Sequence, residues 1–168
     1  MPVSFKVQVR SVTIHQPLLF RLVRAVLAQL GESSAEVALS FIGDRRMRRL
    51  NCRFRGKDWT TDVLAFSLRE ADMPRISRPL PRPLGDVVIS VPQAIRQARE
   101  GRRSVDEELV ALLIHGILHL CGYDHERSKM EARRMERRER MIVRALGRVP
   151  HLIRLQDERG CRLSGDRS

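Results

Sequence analysis

Apolar and polar residues alternate over residues 3–10, the period of a half-buried strand. The period changes at Pro17. Leu19, Leu22, Val23, Val26 and Leu30 then form one helical stripe over residues 17–30, and Gly31 ends it. Residues 37–42 predict a second strand with period-two character. Asp44 is expected to cap a short helix from Arg45 to about Arg53, with Arg45, Arg48 and Arg49 facing outward. Residues 62–68, rich in Val, Leu and Phe, predict a third strand, and residues 86–91 a fourth. Between Leu68 and Gly85 lie Pro74, Pro79, Pro81 and Pro83, interspersed with Arg69, Arg75, Arg78 and Arg82. Proline neither donates to a ladder nor continues a helix, so this segment reads as a loop.

Pro92 fits the first turn of a helix running to about Glu100. Ser104 and Glu107 spell a capping box before a helix over residues 105–121. That helix is apolar almost all round, which predicts a buried, central element. Its strongly polar positions beyond Glu108 are His115 and His119. A last helix spans about residues 128–146, with Met130, Met135, Val143 and Leu146 as inward candidates. From Arg148 onward the chain is polar and basic and is expected to fray. Strands interleaved with helices predict an α/β (α+β) fold, a single small mixed sheet of about four strands with helices packed on it. Residues 1–147 are read as one domain and residues 148–168 as a tail.

The chain has 168 residues, enough for one core. Its apolar run at residues 109–114 falls far short of the roughly 20 residues of a membrane span. The N-terminus has no apolar block of the signal-peptide kind. The expectation is a cytoplasmic protein with no membrane partner. Cys52, Cys121 and Cys161 are odd in number and lack C-x-x-C spacing, a poor disulfide framework. Charge changes the picture more: 32 Lys and Arg against 20 Asp and Glu give a net +12. Most of the bases are Arg, which grips phosphate in bidentate geometry. A polyanion partner fits, nucleic acid foremost. An arginine-favouring surface gives the same excess, and RNA, DNA and anionic lipid stay open. With one Trp, one Tyr and five Phe, base-specific recognition by an aromatic platform is not expected.

Three of five histidines fall between residues 115 and 125. His115 and His119 are four apart, so on a helix both rings leave one face, one turn apart. Gly122 can reverse the chain and bring His125 to the same point. Three nitrogens with room for a fourth ligand are the pattern of catalytic zinc. An unmet buried polar group costs about 1–3 kcal/mol, and one ion satisfies three imidazoles together. Zinc suits neutral histidines best, and nickel or another divalent ion fits the same cage. Asp124 is a local candidate to hold the outer nitrogen of a ligand ring. Cys121, two residues past His119, points elsewhere. The spacing H-x3-H-x2-G-x2-H is also that of metzincin peptidases, which carry a general-base Glu after the first histidine. Gly116 stands there and takes no proton.

The run from His115 to His125, HGILHLCGYDH, resembles the H-G-x-L-H-L-x-G-Y-D-H signature of the YbeY family, metal-dependent endoribonucleases that mature ribosomal RNA. Further blocks resemble the same family in the same order: Leu50-Asn51, Phe54-Arg55-Gly56-Lys57-Asp58 and Thr61 to Phe66, then Leu84 to Ser90, then Glu131-Ala132 with Met135. Ala65 departs from the family's usual Ser, and the Pro/Arg segment and tail look longer. The resemblance implies that His115, His119 and His125 hold one zinc ion and that Arg55 and His115 are catalytic. It implies single-strand-specific cleavage in ribosomal RNA maturation (the 3′ end of 16S RNA) and ribosome quality control, with the small ribosomal subunit as partner. Attack by water and attack by the RNA 2′-hydroxyl stay open. A non-catalytic RNA-binding assembly factor with a structural metal is the alternative, favoured by the lack of a carboxylate base in the motif. A metallopeptidase rests on spacing alone.

Overall fold

The four strands expected from the hydrophobic pattern pair into one mixed sheet. The computed structural model describes residues 3–68 and 82–156. Along the chain run β1 (Val3–Val7), β2 (Val12–Ile14), α1 (Gln16–Gln29), β3 (Ala35–Ile42), α2 (Asp44–Arg55), β4 (Val63–Ser67), β5 (Arg82–Ser90), α3 (Val91–Glu100), α4 (Val105–Leu120), α5 (Lys129–Leu146) and β6 (Ile153–Leu155). The sheet order is β1-β3-β5-β4. The first three strands are parallel, and β4 runs antiparallel to β5 at the edge.

Period two sorts the sheet's side chains. Val37, Leu39 and Phe41 of β3 and Val87 and Ile89 of β5 enter the main core with α1, α4 and α5. Val88, on the opposite face of β5, packs with Ile42, Met47 and Leu64 beneath α2. Burial on both faces makes β5 an apolar run rather than an alternating one. α4 is apolar nearly all round because it is enclosed: Leu109, Val110, Leu113, Ile114, Ile117 and Leu118 are at most 2% exposed. Among the described residues no helix is long and apolar enough to cross a membrane.

Several expectations change. β5 begins at Arg82, so Pro83 lies inside a strand and not in a loop. A register shift opposite Glu36 and Val37 absorbs it, leaving Leu84 as the extra residue of a bulge. The rest of the expected Pro/Arg loop lies outside the described residues. Asp44 is not a cap. Gly43 occupies that position, and the Asp44 carboxylate accepts from Ser90 Oγ at 2.7 Å and pairs with Arg96 at 2.8 Å. On α5 the buried residues are Met135 and Ile142, and Leu146 packs half-buried against the core as expected, whereas Met130 is 81% exposed and Val143 41%.

The expected fraying from Arg148 is also overturned as far as Gln156. β6 pairs antiparallel with β2, two three-residue strands too short to leave a periodic signature. Buried Asp106, in the first turn of α4, fastens this segment. Its Oδ1 accepts from the Leu152 and Ile153 amides at 2.8 and 3.0 Å, and Oδ2 lies 2.9 Å from His151 Nδ1. Asp106→Ala strands two backbone donors and is expected to cost about 1–3 kcal/mol. The check is the urea midpoint together with hydrogen exchange, which should speed up first at the Leu152 and Ile153 amides.

Candidate metal centre

α4 delivers two imidazoles because of how it starts and how closely it packs. Its capping box is formed: Ser104 Oγ accepts from the Glu107 amide at 3.1 Å, and Glu107 Oε2 accepts from the Ser104 amide at 2.8 Å. At mid-helix, a Cβ on Gly116 would sit 2.6 Å from Val87 Cγ1 and 3.4 Å from Val63 Cγ2. Glycine there lets the helix rest directly on β4 and β5. Space thus excludes a side chain after the first histidine, in addition to the missing acid–base chemistry. His115 and His119 leave the helix at the boundary between core and solvent, both half-buried.

The turn behaves as its sequence predicts. Gly122 has φ of 94°, a backbone that favours glycine, and its amide bonds to the His119 carbonyl at 3.0 Å. The chain doubles back and brings His125 in from the solvent side. One nitrogen from each of His115, His119 and His125 lies within 4.8 Å of the others. His115 Nε2 and His119 Nε2 are 3.1 Å apart. Tetrahedral zinc with bonds of 2.0–2.1 Å places ligand nitrogens about 3.3 Å apart, so the donor set fits such an ion.

The carboxylate behind the cluster is Glu139, not Asp124. Glu139 Oε1 lies 2.7 Å from His115 Nδ1. An ionised carboxylate only accepts, so Nδ1 carries the proton and Nε2 turns its lone pair inward. Asp124 instead accepts from the Glu126 amide at 2.9 Å and shapes the turn. Glu139 comes from α5, 24 residues along the chain. Its signal in the sequence was a carboxylate on the stripe of Met135 and Ile142. His119 is held below the ordinary histidine value by burial first, then by His115 and His125, against a backbone hydrogen bond at Tyr123. Two neutral nitrogens facing each other at this separation repel unless a cation or proton lies between them.

The histidines open into a cavity of about 970 Å³ that Arg55, Lys57, Phe54 and Tyr123 also line. Arg55 is the last residue of α2, which Gly56 terminates with φ of 67°. Its Nη2 lies 3.8 Å from Glu126 Oε2, next to His125 in the chain, and both side chains are exposed. All four residues singled out in the sequence therefore share one cavity. Asp62 fixes the start of β4 on its wall, accepting from the Val63 amide at 2.7 Å and Gln97 Nε2 at 3.0 Å.

A small mixed-sheet α/β protein with three imidazoles converging at the edge of an open cleft is the class that this fold and site define. Residues 5–147 match the family described as Endoribonuclease YbeY. A YbeY endoribonuclease of Anaeromyxobacter sp. (strain Fw109-5) is 52% identical over 130 residues, 77% of this chain and 64% of the relative. One from Alkaliphilus metalliredigens is 39% identical over 155 residues, 89% of this chain and 99% of the relative. The match covers only 42% of the longer Myxococcus xanthus relative, so the chain spans less than two thirds of some curated relatives. The solution structure of a Thermotoga maritima protein superposes with a TM-score of 0.56 at 25% identity, over 86% of this chain and 91% of that one. The chain belongs to the YbeY endoribonuclease family.

The depressed proton affinity of His119 sets a pH dependence for the metal-free protein. The unfolded chain protonates this ring near its ordinary value of 6.5, whereas the folded chain resists. Stability is thus full above that pH and declines as the pH falls toward the folded value. Urea midpoints of chelator-treated protein should drop between about pH 7 and 5, and His119→Gln should flatten that slope.

Proposed function

We propose that this chain is a zinc-dependent endoribonuclease acting on single-stranded RNA, with ribosomal RNA of the small subunit as substrate. One observation carries the reading: three imidazoles converge with an open side on a cavity that they share with Arg55. His115, His119 and His125 hold the ion, and Glu139 fixes the tautomer and direction of His115. When bound, the ion supplies Lewis acidity for phosphodiester cleavage. Arg55 offers a permanently charged fork to the scissile phosphate and to the charge that builds on it. Its present partner, exposed Glu126 at 3.8 Å, is a pairing of the kind worth about 0–1 kcal/mol, which a phosphate displaces. The net charge of +12 supports a polyanionic substrate whose affinity falls steeply with salt. Family membership supports cleavage as the activity.

Arg55→Glu should retain the fold and one bound metal, by circular dichroism and elemental analysis, and lose cleavage of labelled single-stranded RNA by at least about 100-fold. Highly purified wild-type protein that binds RNA without cutting it would leave the assembly-factor reading in its place. Glu139→Ala should weaken metal affinity about 10–100-fold in competition with a chromogenic chelator, because His115 loses its orienting partner.

A further inference from the structure

The chain's few aromatic residues are not evenly spread. Of seven, Phe54, Phe66 and Tyr123 line the histidine cavity, and Trp59 lies on the short loop between cavity-lining Lys57 and Thr61. Trp59 is 59% exposed and Phe54 56%. Each ring already has a cation at its side: Lys57 Nζ lies 5.8 Å from the Trp59 centroid, and Arg53 Cζ lies 5.3 Å from that of Phe54. Phe54 is braced edge-on by Phe66, with centroids 5.0 Å apart.

The loop that bears Trp59 is held in place. Buried Asn51 donates from Nδ2 to the Trp59 carbonyl at 2.8 Å, and its own carbonyl accepts from the Lys57 amide at 3.3 Å. Arg48 grips Asp58 with two bonds, at 2.9 and 2.8 Å. Trp59 is thereby anchored on α2 one turn before Phe54 and Arg55. An exposed indole on a fixed loop has already met much of the ordering cost of binding.

We propose that Trp59 and Phe54 form a base-stacking subsite for single-stranded RNA at the rim of the histidine cavity. This rests on the reading of the cavity as an RNA site. Arg53 and Lys57 beside the rings and Arg55 in the cavity complement phosphates, and the neighbouring Asp58 carboxylate is already paired with Arg48. Exposed rings flanked by cations fit a strand that alternates bases and phosphates better than they fit a protein partner, whose anchor needs a continuous apolar surround. Stacking is tolerant of base identity, so two rings serve without the base-specific platform that the low aromatic content argues against.

Trp59 is the only tryptophan in the chain, and its emission reports directly on its environment. The wild-type full chain is titrated with a single-stranded 2′-O-methyl oligonucleotide, recovered intact afterwards, and with inorganic polyphosphate of matched charge. The oligonucleotide should quench Trp59 to saturation, and polyphosphate should not. By anisotropy of a labelled oligonucleotide, Trp59→Ala should bind about tenfold or more weakly and Trp59→Phe should keep most of the affinity. Equal quenching by polyphosphate, or unchanged oligonucleotide affinity in Trp59→Ala, overturns the subsite. Cleavage of labelled RNA by the same preparation separates the two readings. Quenching without cleavage leaves the subsite and removes the nuclease; cleavage without quenching does the reverse.

Discussion

Close contact between α4 and the sheet is the constraint on which the rest of the molecule depends. Gly116 has no room for a Cβ against Val87, so the helix axis is set by backbone against side chain rather than by interlocking side chains. That fixes the depth of His115 and His119 together, because both ride the same turn. The buried apolar surface of α4 holds the helix in place while the imidazoles stay at the core boundary. Metal sites need ligand positions good to a fraction of an ångström, and a buried helix achieves this better than a loop. His125 is the exception, carried by a turn, and it is also the exposed member of the three.

A second constraint is electrostatic. The cluster gathers three proton-accepting rings, and burial disfavours the charged form of His119. Folding therefore gathers three nitrogen donors at one point, a group that could hold a metal ion. Around this point the cationic residues of α2 stand outward and remain solvated, so their mutual repulsion is screened within about 10 Å at ordinary ionic strength. The same chain thus gathers nitrogen donors at one point and positive charge along the neighbouring helix.

Much of this was legible in the sequence where the contacts are local. The i, i+4 histidines, the Gly122 reversal, the Ser104–Glu107 box and the alternation of β3 each depend on residues a few positions apart. What escaped depends on distant partners. Glu139 meets His115 across 24 residues, and Asp106 meets Leu152 across 46. Asp44 looked like a cap because its neighbours fitted, yet Ser90 and Arg96 claimed the carboxylate. Met130 and Met135 were both read as inward; packing against α4 selects Met135, with Glu139 and Ile142 on the same stripe, and leaves Met130 in solvent. β2 and β6 show the limit at its clearest, since each three-residue strand is defined only by the other.

Two carboxylates near the histidines show how separation and burial divide roles between like groups. Glu139 sits 2.7 Å from His115 Nδ1 with its side chain 29% exposed; Glu126 sits 3.8 Å from Arg55 with its side chain 59% exposed. The first is a short hydrogen bond sheltered from water, and the second is a long, solvated ion pair. A short, sheltered bond suits a group that must keep a ring in one tautomer throughout. A long, solvated one holds its partner loosely and exchanges readily. The chain therefore separates permanence from exchangeability by placing one acid on a packed helix and the other on an exposed turn.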